Sequence, residues 1–388
     1  MTQRLLSRIG SVVVVCVSVS SCGGKTPTTP PADDGEPPPS GITFREQSIG
    51  SLGGAISVST ADLDHDGDPD VLGAGFNANQ MTWWENDGSG SFTRHVLSND
   101  FRGARQVYAF DLDSDGDLDV LGVAFYENAV AWWENDGAQH FTMHSIKTAF
   151  VGANTVYAGD LDADGDLDVI AGSWHHDVND QDALLWFEND GHGAFAEHVL
   201  VDRDSRNSCL KVADVDEDGD TDILAAVHGS NAILWLENQG GGAFTVRMVG
   251  GGFAGAHWTH PVDLDGDGDV DVLGAALDED ALAWWENDGA GHFTRHAVDG
   301  PFPGAGSVYA SDIDGDGHMD VLATAEASNT VAWWERTSSG QLLRHVVTST
   351  FGQALDVHAA DLDGDGDIDI LGVAFSGNRI AWWQNMSR

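Results

Sequence analysis

The chain has 388 residues, long for one ordinary domain unless the fold is built from repeats. Its 17 basic and 63 acidic residues give a formal net charge of −46, which argues against nucleic acid or an anionic membrane surface as partner, since phosphates are met with Lys and Arg. So acidic a chain either repels itself or holds cations.

Taken in chain order, the first segment is an address. Arg4 and Arg8 form a basic region, and Ile9 to Val19 is an apolar run too short to span a bilayer, so residues 1–21 read as a signal peptide. Val19-Ser20-Ser21-Cys22-Gly23 resembles a bacterial lipobox, which implies lipidation at Cys22. The expected location is the bacterial cell envelope, lipid-anchored and facing the periplasm or the cell surface. Residues 22–41 are rich in Thr and Pro, including the Pro37-Pro38-Pro39 run, and read as an extended tether. The other early cysteine is Cys16, which leaves Cys209 alone in the rest of the chain. No disulfide framework is possible there, and a small buried residue is the expected role.

From residue 42 to 388 the chain repeats itself. Asp-x-Asp-x-Asp-Gly-x-x-Asp begins at Asp62, Asp111, Asp160, Asp214, Asp263, Asp312 and Asp361, at spacings of 49, 49, 54, 49, 49 and 49. The long interval reflects an insertion around Trp174 to Ala183. Each repeat carries four short apolar segments: one leading into the Asp motif, one leaving it, one with a Trp pair such as Trp132-Trp133-Glu134-Asn135, and one like Phe92-Thr93-Arg94-His95. Four short strands repeated seven times predict an all-β, seven-bladed β-propeller of four-stranded blades. The seventh repeat lacks its last strand, and a matching segment, Ile42 to Ile49, stands at the start of the domain. The N-terminal strand is therefore expected to close the last blade and leave no free edge. Adjacent strand residues face opposite ways, so the tryptophans at this repeated strand position, 12 of the 14, are expected to pack between blades.

The Asp motifs point to hard-cation sites. Alternating carboxylates converge on one point, Gly at the sixth position permits the turn, and the seventh residue can add its carbonyl. An oxygen-only set suits Ca²⁺ rather than Zn²⁺. The predicted ligands are Asp62, Asp64, Asp66 and Asp70 in the first loop and Asp111, Asp113, Asp115 and Asp119 in the second. The third has Asp160, Asp162, Asp164 and Asp168, and the fourth Asp214, Asp216, Asp218 and Asp222. The fifth has Asp263, Asp265, Asp267 and Asp271, the sixth Asp312, Asp314, Asp316 and Asp320, and the seventh Asp361, Asp363, Asp365 and Asp369. An EF-hand does not fit, because position 12 is never Glu and the flanks are strand-like. Up to seven structural Ca²⁺ would bring the net charge from −46 to about −32 and relieve carboxylate repulsion that opposes folding.

These residues resemble the FG-GAP/VCBS repeat family, which includes the propeller head of integrin α-subunits and many bacterial surface proteins. The resemblance spans Ile42 to Arg388. It implies a seven-bladed propeller with Ca²⁺ in the hairpin between the first and second strand of a blade. The family's Phe-Gly and Gly-Ala-Pro pieces survive only as echoes in Phe101-Arg102-Gly103-Ala104 and Phe351-Gly352-Gln353-Ala354, which places the chain nearer the bacterial branch. Members include adhesion modules, lectin-like proteins and a few sugar lyases and dehydratases.

Ligands are expected on the face opposite the Asp loops, where two departures from the repeat fall: Trp174, His175 and His176 in the insertion, and His257, Trp258 and His260 near a first strand. Arg105 is expected to join them, with Arg102 and Asn154 nearby. Aromatic and hydrogen-bonding groups suit a sugar or a peptide side chain, and His175, His176, His257 and His260 are the only histidine clusters suited to acid–base work. His95, His144, His198, His296 and His345 share one strand position and read as structural. The leading expectation is a monomeric module that binds glycan or protein, without catalysis. The alternatives are a sugar lyase or dehydratase and a structural envelope element.

Overall fold

The computed structural model describes residues 41–174, 184–201 and 206–387. Alternating β-branched and small residues between Gly, Asn and Asp turns produce seven antiparallel sheets of four strands each. In six blades the strands are consecutive. In the seventh, Phe44–Ser51 pairs with Arg379–Asn385 from Phe44 opposite Asn385 to Ser51 opposite Arg379. The ring thus closes with a strand from the other end of the domain, as expected.

The first strand of each blade is innermost. These strands are Ala55–Ala61, Ala104–Phe110, Ala153–Gly159, Asn207–Ala213, Ala256–Val262, Ala305–Ser311 and Ala354–Ala360. Each touches its two neighbours around the ring, the last meeting the first. Second strands, such as Asp119–Ala124, are buried along their whole length, as befits strands covered on both faces.

The core lies between blades. Each apolar cluster draws on neighbouring blades; one joins Leu121, Val130 and Trp132 to Val156, Val169 and Phe187. The tryptophans fill these seams: Trp83, Trp84, Trp133, Trp333, Trp334 and Trp383 are all fully buried. The phenylalanine entering a blade meets the second Trp edge-on, with Phe101 and Trp133 centroids 5.1 Å apart at 88° and Phe351 and Trp383 at 4.8 Å and 74°. This contact explains why the Phe of the family echo persists. Cys209 is buried and free, as expected.

Candidate metal loops and the axial cavity

Each Asp motif joins the first strand of a blade to the second, so all seven loops lie on one face of the ring. The sixth-position glycines hold φ between +89° and +102°. Nothing crowds a Cβ at Gly67, Gly116 or Gly165, so the backbone conformation, not space, demands Gly. Carboxylate oxygens of Asp62, Asp64 and Asp66 lie within 4.8 Å of one another, as do those of Asp111, Asp113 and Asp115, of Asp160, Asp162 and Asp164, and of Asp214, Asp216 and Asp218. In the fifth loop the converging trio is Asp263, Asp265 and Asp271.

The ninth-position aspartates are fully buried and clamp the loop. Asp119 accepts the Leu112 N–H on Oδ2 at 2.9 Å and the Asn135 N–H on Oδ1 at 2.8 Å. The same two bonds recur in every blade. Each oxygen retains a further lone pair. Burial, outweighing these bonds, pushes the carboxyls of Asp70, Asp119, Asp271, Asp320 and Asp369 up to about 7, and those of Asp168 and Asp222 to about 6. Third-position carboxyls are also raised, by burial first and then by neighbouring carboxylates. Among the described residues, six hidden first- and third-position oxygens have no hydrogen-bond partner: Oδ1 of Asp111, Asp113, Asp160, Asp214, Asp216 and Asp363. Buried acceptors without donors are strongly unfavourable, and an all-oxygen set of this kind could hold a hard cation.

The loops are stapled to one another. Asn135 Nδ2 donates to Leu118 O in its own loop and to Leu63 O in the preceding blade's loop, both at 3.2 Å. Asn189, Asn238, Asn287 and Asn385 repeat this, Asn86 reaches Leu362 across the closure, and Arg336 reaches Asp265 O in the sixth blade. The stapling runs unbroken around the ring. Its signal was the Asn that stands three residues after the first Trp of this strand in six of the seven repeats, with Arg336 in the sixth, a role the sequence reading did not assign.

The repeated histidines are structural in a specific way. His95, His144, His198, His296 and His345 each meet a Glu on the neighbouring strand at 2.6–3.0 Å and stack on the first Trp of the pair at 4.4–4.9 Å.

The predicted ligand residues divide into two layers along the axis. Towards the face opposite the Asp loops, Trp174 packs on His228 at 4.8 Å, and His228 faces Asp278 at 3.5 Å. The His257 imidazole bonds Gly306 O at 2.8 Å; burial lowers its pKa to about 4, and Arg105 and His228 oppose its charge. Burial likewise brings Arg105 down to about 10, against the pull of Glu326. Arg105 and His257 therefore share one environment. Trp174 and Trp258 are both buried and offer no open platform. Trp258 and His260 lie deeper, in the second layer. Arg102 pairs with Glu127 at 2.8 Å in solvent, and Asn154 is tied to Asn207 O at 2.7 Å. His175, His176 and Cys22 lie outside the described residues.

The second layer is an axial cavity of about 210 Å³. The third residue before each Asp motif builds it: Ser59, Tyr108, Tyr157, Lys211, His260, Tyr309 and His358. Three of the chain's four tyrosines are here. Lys211 Nζ donates to the Tyr108 hydroxyl at 3.2 Å and sits 4.5 and 4.3 Å from the Tyr108 and Tyr157 ring centroids. Burial pushes the Tyr108 phenol above its usual range; burial also disfavours the Lys211 ammonium, but the Tyr108 and Tyr157 side chains and the Tyr108 hydrogen bond outweigh it and raise the Lys211 pKa. Burial, then repulsion from Lys211, lowers His260 to about 3 and His358 to about 4, so both are neutral near pH 7. The sequence reading found only His260 of this set.

A closed propeller with an acidic turn in each blade defines the class. The FG-GAP-like repeat model matches residues 62–122, 111–171, 214–274, 263–323 and 312–372, and the chain belongs to that family. No curated protein matches the sequence. Among solved structures, the chain is similar to an Agrocybe aegerita lectin described as recognising non-reducing terminal N-acetylglucosamine, at 20% identity and TM-score 0.56, over 89% of this chain and 87% of the lectin. It is also similar to streptogramin B lyase, at 12% identity and TM-score 0.62, over 88% and 98% of the two chains. BBS1N in complex with ARL6DN is a third, at 12% and 0.60, over 89% and 97%. A sugar binder, a lyase and a protein-binding domain thus share this fold, and fold alone does not choose among them.

Proposed function

We propose that the chain is a calcium-stiffened recognition propeller, carried on the bacterial envelope by a lipid at Cys22 and binding a glycan or a protein as a monomer. The observation that carries the calcium reading is the set of buried carboxylate oxygens without donors, aimed at one point in loop after loop. Ca²⁺ would be held by the carboxylates at positions 1, 3, 5 and 9 and would neutralise charge that otherwise drives the turns apart. Recognition is assigned to the face opposite the loops, where Arg105 and His257 gather; connections there vary without disturbing blade packing. The lectin of similar fold is an instance of such a ring recognising a glycan.

A sugar lyase or dehydratase is the second reading, favoured by the neutral imidazoles and phenols beside a cation in the axial cavity, groups suited to proton transfer. The test is a polysaccharide and protein panel presented to the purified protein with and without Ca²⁺, scoring retention and product release. Retention without products supports the binder. Products lost in His257→Gln or His260→Gln support the enzyme. Neither result with any member of the panel would overturn both.

A further inference from the structure

The axial cavity has an unbalanced inventory. Lys211 is 8% exposed. Its ammonium has three donors, of which one meets the Tyr108 hydroxyl. Among the described residues, no carboxylate lies within ion-pair distance of it. Asp356 lines the same cavity, but its Oδ2 accepts the Val58 N–H at 3.0 Å and its Oδ1 the Val357 N–H at 2.9 Å. His358 is engaged with Thr60 at 3.3 Å, while the buried Nδ1 of His260 has no partner among the described residues. The hydroxyls of Tyr157 and Tyr309 complete a wall richer in donors than in free acceptors. A buried ammonium with no carboxylate partner is unfavourable, and two aromatic faces offset only part of that.

We propose that the axial cavity binds a small carboxylate carried on a single ring, its oxygens taken by the Lys211 ammonium with help from the Tyr157 and Tyr309 hydroxyls. Lys211 supplies one positive charge, which a monoanion balances, whereas a phosphate dianion leaves a negative excess to which Asp356 in the same wall adds repulsion. Charge-assisted bonds to an ammonium are about twice as strong as neutral ones. The volume equals about seven waters at ~30 Å³ each and lies below the ~300 Å³ where drug-sized pockets begin. That limits the occupant to about one ring, with Trp258 and Tyr309 among the aromatic side chains that line the space. The site is separate from the Asp loops and does not rest on the calcium reading.

Calorimetric titration of the whole protein at fixed free Ca²⁺, with glucuronate and benzoate as probes and glucose and benzyl alcohol as neutral counterparts, tests this. The expected result is saturable binding of at least one carboxylate, at least tenfold tighter than its neutral counterpart and at least tenfold weaker in Lys211→Met. Where Lys211→Met does not fold, Tyr157→Phe and Tyr309→Phe keep the rings and are expected to weaken binding three- to tenfold. No binding of either carboxylate, equal binding of the neutral probe, or unchanged affinity in Lys211→Met or in both Phe variants would overturn the assignment. Melting with and without Ca²⁺ on the same samples reports the loops independently.

Discussion

At the scale of single residues, the molecule separates groups that fasten from groups left with capacity to spare. Asn135 fastens: it is 1% exposed and holds two carbonyls from two blades. Asn135→Ala strands both, and the expected loss is about 2–3 kcal/mol, measurable by urea unfolding in saturating Ca²⁺. His260 and His358 give a pH signature. Their native pKa values, about 3 and 4, lie below the unfolded value of ~6.5. Above pH ~6.5 both states are neutral and the contribution is complete; as pH falls towards 4, the unfolded chain takes protons that the fold refuses, and stability declines. Melting temperature from pH 7 to 4.5 should fall less steeply in His260→Phe/His358→Phe, with the acidic loops common to both proteins; identical slopes would contradict the assignment. The Asp motif was legible because its chemistry lies within nine consecutive residues. The axial set was not, because its members stand 49 or 54 residues apart and mean nothing until seven strands converge.

At the scale of the strand and blade, periodicity made most of the fold readable. A missing seventh outer strand and a spare segment before the first repeat sufficed to predict closure, and the Trp pairs' alternation sufficed to place them in the seams. The layering of Trp174, His257, Trp258 and His260 was harder to read. His257 and Trp258 are neighbours on one strand and so face opposite ways, which separates residues that looked like one cluster. The closing strand makes its own prediction. Removing residues 42–51 exposes the ladder edge of Arg379–Asn385, and a free apolar edge invites pairing with another chain. Size-exclusion chromatography should show larger species for the truncated protein than for the intact one.

At the scale of the whole molecule, charge opposes folding, and the proposed calcium would offset it. All seven acidic turns share one face, and the chain carries −46. Chelating Ca²⁺ should lower the melting temperature substantially, and raising NaCl from about 0.1 to 1 M, which shortens the screening length from ~10 to ~3 Å, should restore more stability to the stripped protein than to the loaded one. A melting temperature indifferent to calcium would remove the metal from the account. A variant such as Asp113→Ala should lower the bound calcium by one equivalent while the other loops fill, since each loop's ligands come from its own blade.

The closing strand also decides how the ring answers to force. Phe44–Ser51 is an outermost strand held by one antiparallel ladder and by the Arg379–Glu46 ion pair. A pull on Phe44 along the strand axis loads all the rungs together and meets high resistance. A pull away from the sheet opens them singly and meets little. The joint is a latch: firm in shear, weak in peel.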